Sequence, residues 1–208
     1  MSAARLALAA SATLAVAACS LGKPIPPATT YVVELPISAA APAAQRRPEV
    51  LQMGNVHVAA AFSGNALVYR ADEVRYVSDP YNAFIADPAA MLGNRMAAWL
   101  DRAGPFKTVA QPDSARPASY VLEASVTELY GDFRQGQPPA AVMAVQFALV
   151  DQTGVRPKMV LERTLSSRVD IGEASPDALV RGYGAALAEV LAELVADLRA
   201  TAHRADPM

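Results

Sequence analysis

The chain has 208 residues, a formal net charge of −2 and a single cysteine. That length suits one moderate domain with its own core plus short appendages. The near-neutral charge argues against the basic face of a nucleic-acid binder, and one cysteine rules out an intramolecular disulfide.

The N-terminus carries the first local signal. Arg5 and the terminal amine form a short positive region, and Leu6 to Ala18 is apolar or small apart from Ser11 and Thr13. Such a run makes ~20 Å of helix, too short for a hydrocarbon core of ~30 Å. It reads as a signal peptide over 1–18. Ala15-Val16-Ala17 would suit ordinary signal peptidase, whereas Val16-Ala17-Ala18-Cys19 resembles the bacterial lipobox. A lone free thiol in an oxidising compartment is a liability, and Cys19 follows the apolar run where lipidation requires it. Lipidation of Cys19 is therefore the stronger reading. Each buried acyl methylene contributes ~0.8 kcal/mol, so two chains anchor firmly where one does not. Ser20 stands where the inner-membrane retention pattern uses Asp, which favours an outer-membrane anchor facing the periplasm.

Residues 19–30 then form a lipidated cysteine and a Pro-rich, semi-extended tether. Tyr31 to Leu35 is a short β-rich run. Pro36 to Glu49 reads as an irregular connection, with Arg46 and Arg47 as solvated linker. Val50 to Ala61 is the first long strand, closed by the turn cluster Phe62-Ser63-Gly64-Asn65. Ala66 to Arg70 and Glu73 to Ser78 form a hairpin whose loop lacks the glycine of a two-residue turn. A helix spans Asp87 to Ala103, with Asp87 as cap, Pro88 at the first position and a stripe of Leu92, Met96, Trp99 and Leu100. Gly104-Pro105 ends it. Phe106 to Ala110 is a short strand. Tyr120, Leu122, Ala124 and Val126, then Met143, Val145, Phe147 and Leu149, alternate with more polar neighbours. Met159 to Val169 follows, completing an antiparallel meander with one wet face. The last helix starts at Ser175-Pro176-Asp177, buries Tyr183, Leu187, Leu191, Leu194 and Leu198, and is expected to bend near Gly182 and Gly184. The fold class is α+β: a mainly antiparallel sheet with two principal helices packed on one side, one domain behind a signal peptide and tether.

Catalytic signatures are missing from the sequence. It has two histidines, His57 in a strand pattern that favours a structural role and His203 in the tail. H-E-x-x-H, paired cysteines, a phosphate loop and G-x-S-x-G are all absent, so the expectation is a non-enzyme without cofactor or metal. A carboxylate pair that meets only in three dimensions stays open.

Residues 67–88, LVYRADEVRYVSDPYNAFIADP, follow the strand LQMGNVHVAA and precede the Trp99 helix. With Tyr31 to Leu35, Val68-Tyr69-Arg70, Asp132-Phe133 and the Ser166 to Val169 segment, this arrangement resembles the ABC-type transport auxiliary lipoproteins. That family includes the lipoprotein of the paraquat-inducible intermembrane transport system. Many relatives carry tryptophan shortly before proline ahead of the first helix, whereas here Phe84 is the aromatic. The resemblance implies an auxiliary domain over 31–202 and a tail over 203–208. It further implies a non-catalytic role in lipid transport between membranes, beside a permease, an ATPase and an MCE (mammalian cell entry) domain substrate-binding protein. Self-association is left open. Tyr69, Arg70, Tyr76, Tyr81 and Phe84 are the candidate partner surface, weighed against a purely structural role at a sheet edge. A lipopolysaccharide-assembly lipoprotein associated with an outer-membrane barrel is the alternative, and a cryptic hydrolase the third reading.

Overall fold

A computed structural model describes residues 27–36, 42–44, 46–111, 114 and 117–204, the last three by backbone alone. The signal peptide, Cys19 and most of the tether lie outside these residues. The architecture is α+β, an eight-stranded mixed sheet with two helices on one face. Its elements are β1 (Thr29–Tyr31), β2 (Arg47–Val58), β3 (Ala66–Arg70), β4 (Tyr76–Phe84), α1 (Pro88–Ala103) and β5 (Phe106–Ala110). They continue with β6 (Tyr120–Asp132), β7 (Ala140–Asp151), β8 (Lys158–Asp170) and α2 (Pro176–Arg204).

Strand β6 is the axis of the sheet. Along one edge it takes β2 and then β3, both parallel: Leu51 to Val58 lie against Tyr120 to Val126, and Tyr69-Arg70 against Gly131-Asp132. Along the other edge runs the antiparallel meander β6-β7-β8. Strand β5 extends β2 in parallel, β4 pairs antiparallel with β3, and β1 pairs parallel with the end of β4. The antiparallel meander and the β3-β4 hairpin are as expected, but Ala140 to Val145 of β7 are buried in succession rather than alternately. The parallel pairings are an addition, since alternation fixes which face a side chain takes but not which strand lies beside it.

Both helices begin as the sequence directs. Asp87 Oδ2 accepts from Ala90 N at 2.9 Å, and Ser175 Oγ accepts from Ala178 N at 3.2 Å, each satisfying a first-turn amide that has no helical partner. At the far end of α1, Arg46 donates to the Arg102 carbonyl at 2.7 Å, and Arg47 opens β2 and bonds Glu49 at 3.0 Å. Arg47 therefore belongs to the sheet and is not linker, whereas Arg46 is exposed and reaches the end of α1 from the solvent side. The core fills the layer between sheet and helices: Leu51, Met53, Leu122 and Phe147 meet Leu92, Met96, Leu187 and Leu191, all wholly buried.

The segment after Tyr31 departs from the expected strand. Only 29–31 join the sheet, and Val32 to Pro36 turn onto the helices as an extended strap. Val33 and Leu35 are buried, the Val33 carbonyl accepts from Arg95 Nε at 3.1 Å, and Glu34 pairs with Arg95. Helix α2 runs unbroken through Gly182 and Gly184, so the expected bend is replaced by close approach. A Cβ at Gly184 would sit 2.1 Å from the Glu34 carbonyl oxygen, and one at Gly182 would sit 2.7 Å from the Ala141 Cβ. Among the described residues no helix is long and apolar enough to cross a membrane.

Candidate partner surface

Register places the candidate residues on two different faces. Gly131 faces α2, since a Cβ there would lie 2.9 Å from Leu179 Cδ2. Its neighbours Tyr130 and Asp132 therefore point to the helix-free face. Tyr69 is in register with Gly131 and shares the helix side; Arg70 is in register with Asp132, and Tyr76 with Arg70, so both share the open face.

Tyr69 is half-buried. Its ring stacks on Phe133 at 4.8 Å, and its hydroxyl donates to Asp79 Oδ2 at 2.5 Å. Burial, with Asp79 beside it, raises the Tyr69 phenol far above its ordinary value. Burial pushes the Asp79 carboxyl upward, but the Tyr69 hydroxyl, the Tyr81 and Asn82 amides and the Asn82 side chain outweigh it and hold it low. Phe84 is 3% exposed and packs on Tyr183 with ring centroids 6.1 Å apart. Its side chain belongs to the core and offers nothing to a partner from there. The reason is topological: β1 covers the end of β4 on its outer edge and α2 covers it from above.

Tyr76 is 44% exposed and Tyr81 38% exposed. Tyr76 lies edge-on to Phe62 at 6.1 Å and to Tyr130 at 5.3 Å, forming an aromatic cluster with one open ring. The Arg70 guanidinium sits over Tyr76, 5.8 Å from its centroid. It is fixed there by the hairpin loop, donating to the Asp72 carbonyl at 3.2 Å and the Glu73 carbonyl at 2.9 Å. Val74 at the loop tip is 88% exposed and Ile85 beyond β4 is 62% exposed, extending the apolar character along this hairpin.

Beside the aromatic cluster runs a charged chain that sequence reasoning did not find. Glu73 pairs with Arg70 at 3.2 Å and with Arg134 at 2.7 Å. Arg134 grips both oxygens of Asp132, at 2.9 and 2.8 Å, and Arg168 reaches the same carboxylate at 2.5 Å. Asp132 is 1% exposed. The Arg134 guanidinium, then Arg168, hold its carboxyl well below the usual carboxylate range against the opposing effect of burial. The chain ties the β3-β4 loop, the β6-β7 loop and β8 into one rigid end of the open face. The resemblance had singled out Asp132-Phe133; the partners lie 59 residues before and 36 after Asp132 (Glu73 and Arg168), and no spacing in the sequence shows them.

Elsewhere, His57 is exposed on β2 and in register with Ser125. No group of three or more metal-ligating side chains occurs among the described residues. A cleft of about 620 Å³ opens near the C-terminal end of α2, over Phe106, Tyr120 and Leu198. The Arg163 and Asp197 side chains in its lining pair with each other at 2.8 Å.

Comparison with known proteins agrees with this fold. Protein XCC0632 from Xanthomonas campestris superposes with a TM-score of 0.72 at 17% identity, over 85% of this chain and 98% of that one. A second solved structure, of an uncharacterized protein, superposes with a TM-score of 0.65 at 18% identity, over 83% and 99%. At these identities the likeness is one of fold. No curated protein matches in sequence. The model of the ABC-type transport auxiliary lipoprotein component matches residues 31–195, from the last residue of β1 into the final turns of α2. The chain is a member of the ABC-type transport auxiliary lipoprotein family.

Proposed function

We propose that this protein is a non-catalytic, outer-membrane-anchored periplasmic subunit of an ABC-type system that moves lipid between membranes, docking an MCE-domain substrate-binding protein. The family match over 31–195 carries this reading. Cys19 after the apolar run supplies the anchor, and Ser20 in place of Asp favours the outer membrane. The exposed rings of Tyr76 and Tyr81, with Arg70 held over Tyr76, supply the docking face, because aromatic and arginine side chains on a rigid support are favoured at interfaces.

Two measurements test it. Cys19→Ser should move the protein from the membrane to the soluble fraction and abolish labelling by radioactive palmitate. Affinity purification of the native lipoprotein should recover an MCE-domain protein. Co-purification with a large outer-membrane barrel instead would transfer the chain to the lipopolysaccharide-assembly reading.

A further inference from the structure

The sheet has a long edge that nothing covers among the described residues. Among the described residues β8 pairs with β7 alone, so alternate residues along thirteen positions turn their N–H and C=O groups outward. The other edges are short or blunted. Strand β1 has three residues and β5 five. The free part of β4 contains Pro80, and Asp79 Oδ1 takes the amides of Tyr81 and Asn82. Strand β8 contains no proline, and its pairing with β7 is regular from Leu161 to Asp170.

Helix α2 runs antiparallel above this edge in matched register. Ser167 donates to Glu189 at 2.6 Å and Arg163 to Asp197 at 2.8 Å. Four helical residues rise ~6 Å and two strand residues ~6.6 Å, so the two repeats stay in step. Midway between these contacts lies Glu193 on the helix, level with Leu165 on the strand. It is exposed and makes no hydrogen bond or ion pair among the described residues. Glu189, Glu193 and Asp197 thus form an acidic row along the flank of an open strand, and the charges already on β8 are largely held within the chain. Glu162 accepts from Gln146, Arg163 is held by Asp197 and Arg168 by Asp132.

We infer that the β8 edge is a strand-addition site for an extended segment of a partner protein that carries Lys or Arg at alternate positions. The added backbone completes the sheet, and its helix-side cations fall beside Glu189 and Glu193. A second copy docked about a twofold axis at Leu165 would bring Glu193 against its own equivalent, which disfavours self-pairing there. This goes beyond the proposed docking face, which lies on the β3-β4 hairpin across the sheet from β8, and its test uses no MCE-domain protein, so the two can fail separately.

The experiment titrates the full chain in detergent with three ten-residue peptides: alternating Lys and Thr, alternating Glu and Thr, and the Lys-Thr composition with all lysines at one end. Anisotropy reads binding and hydrogen exchange locates it. The alternating Lys-Thr peptide should bind and slow exchange of amides within 161–169, and the Glu-Thr peptide should not bind. Glu193→Lys should weaken binding by about threefold or more with an unchanged melting temperature, since the site is an exposed ion pair. Equal binding of the segregated peptide, no loss in Glu193→Lys, or protection outside β8 would overturn the proposal. So would β8 amides that are already protected in the free chain and become more so with protein concentration, an outcome that assigns the edge to a second copy.

Discussion

Asp132 shows how much of the open face depends on one side chain. Its carboxylate is buried, bonded twice by Arg134 and once by Arg168, and through Arg134 it is linked to Glu73 on the hairpin loop. Removing one partner of a buried ion pair costs about 3 kcal/mol because the others lose their compensation. Asp132→Asn should therefore lower stability by about that amount, read from urea unfolding at neutral pH. The pH dependence has a definite sign. The folded carboxyl is held below its unfolded value of ~3.9. Its contribution is therefore complete above that value and drains away as the pH falls toward the folded pKa. The native protein should lose more stability between pH 5 and pH 2 than Asp132→Asn does; parallel slopes would show that Asp132 is not the group responsible. At this scale the sequence offered half of the candidate surface. The Tyr and Arg content of the hairpin marked Arg70, Tyr76 and Tyr81, but the acidic and basic partners that fix them come from segments far apart in the chain. Tyr69 and Phe84 looked like Tyr76 because composition does not say which side of a sheet a residue takes when the register is unknown.

Among the elements, those governed by local rules were legible and those governed by packing were not. Asp87-Pro88 and Ser175-Pro176 start α1 and α2 where the capping pattern puts them. The alternation of Tyr120 to Val126 and Met143 to Leu149 gave β6 and β7 their buried face. Local pattern could not show that β4 continues past Ser78 to Phe84, because Pro80 and the turn made by Asp79 interrupt it. Nor could it show that Val32 to Pro36 leave the sheet to lie on the helices. The glycines of α2 are explained by that strap. In an exposed helix Gly→Ala stabilises by up to ~1 kcal/mol. At Gly184 the new methyl would strike the Glu34 carbonyl, a backbone atom that cannot rotate away. Gly184→Ala should thus destabilise, by about 1–3 kcal/mol as overpacking does, and thermal unfolding gives the sign directly. A rise in melting temperature would mean the strap moves aside at little cost.

For the molecule as a whole, the arrangement separates a covered face from an exposed one. Helices and strap close one side of the sheet; β1 lies at the margin of the β3-β4 wing; and the open side presents Tyr76 beside Arg70. A stability defect and a docking defect should therefore be separable by substitution. Tyr69→Phe removes a hydrogen bond to an ionised carboxylate, worth about 1.5–3 kcal/mol, and leaves the open face as it was. It should lower the melting temperature while recovery of the proposed MCE-domain partner at room temperature stays unchanged. Tyr76→Ala and Tyr81→Ala remove rings that are 44% and 38% exposed, so the fold should lose little. If these rings anchor the partner, their combined removal costs on the order of 2 kcal/mol or more of binding, as interface aromatics commonly do. Recovery should then fall by at least about tenfold. The opposite pattern, with Tyr69→Phe abolishing recovery and the double alanine variant retaining it, would place the docking surface on the helix side of the sheet. In that case the aromatic cluster around Tyr130 serves only to hold the hairpin to β6.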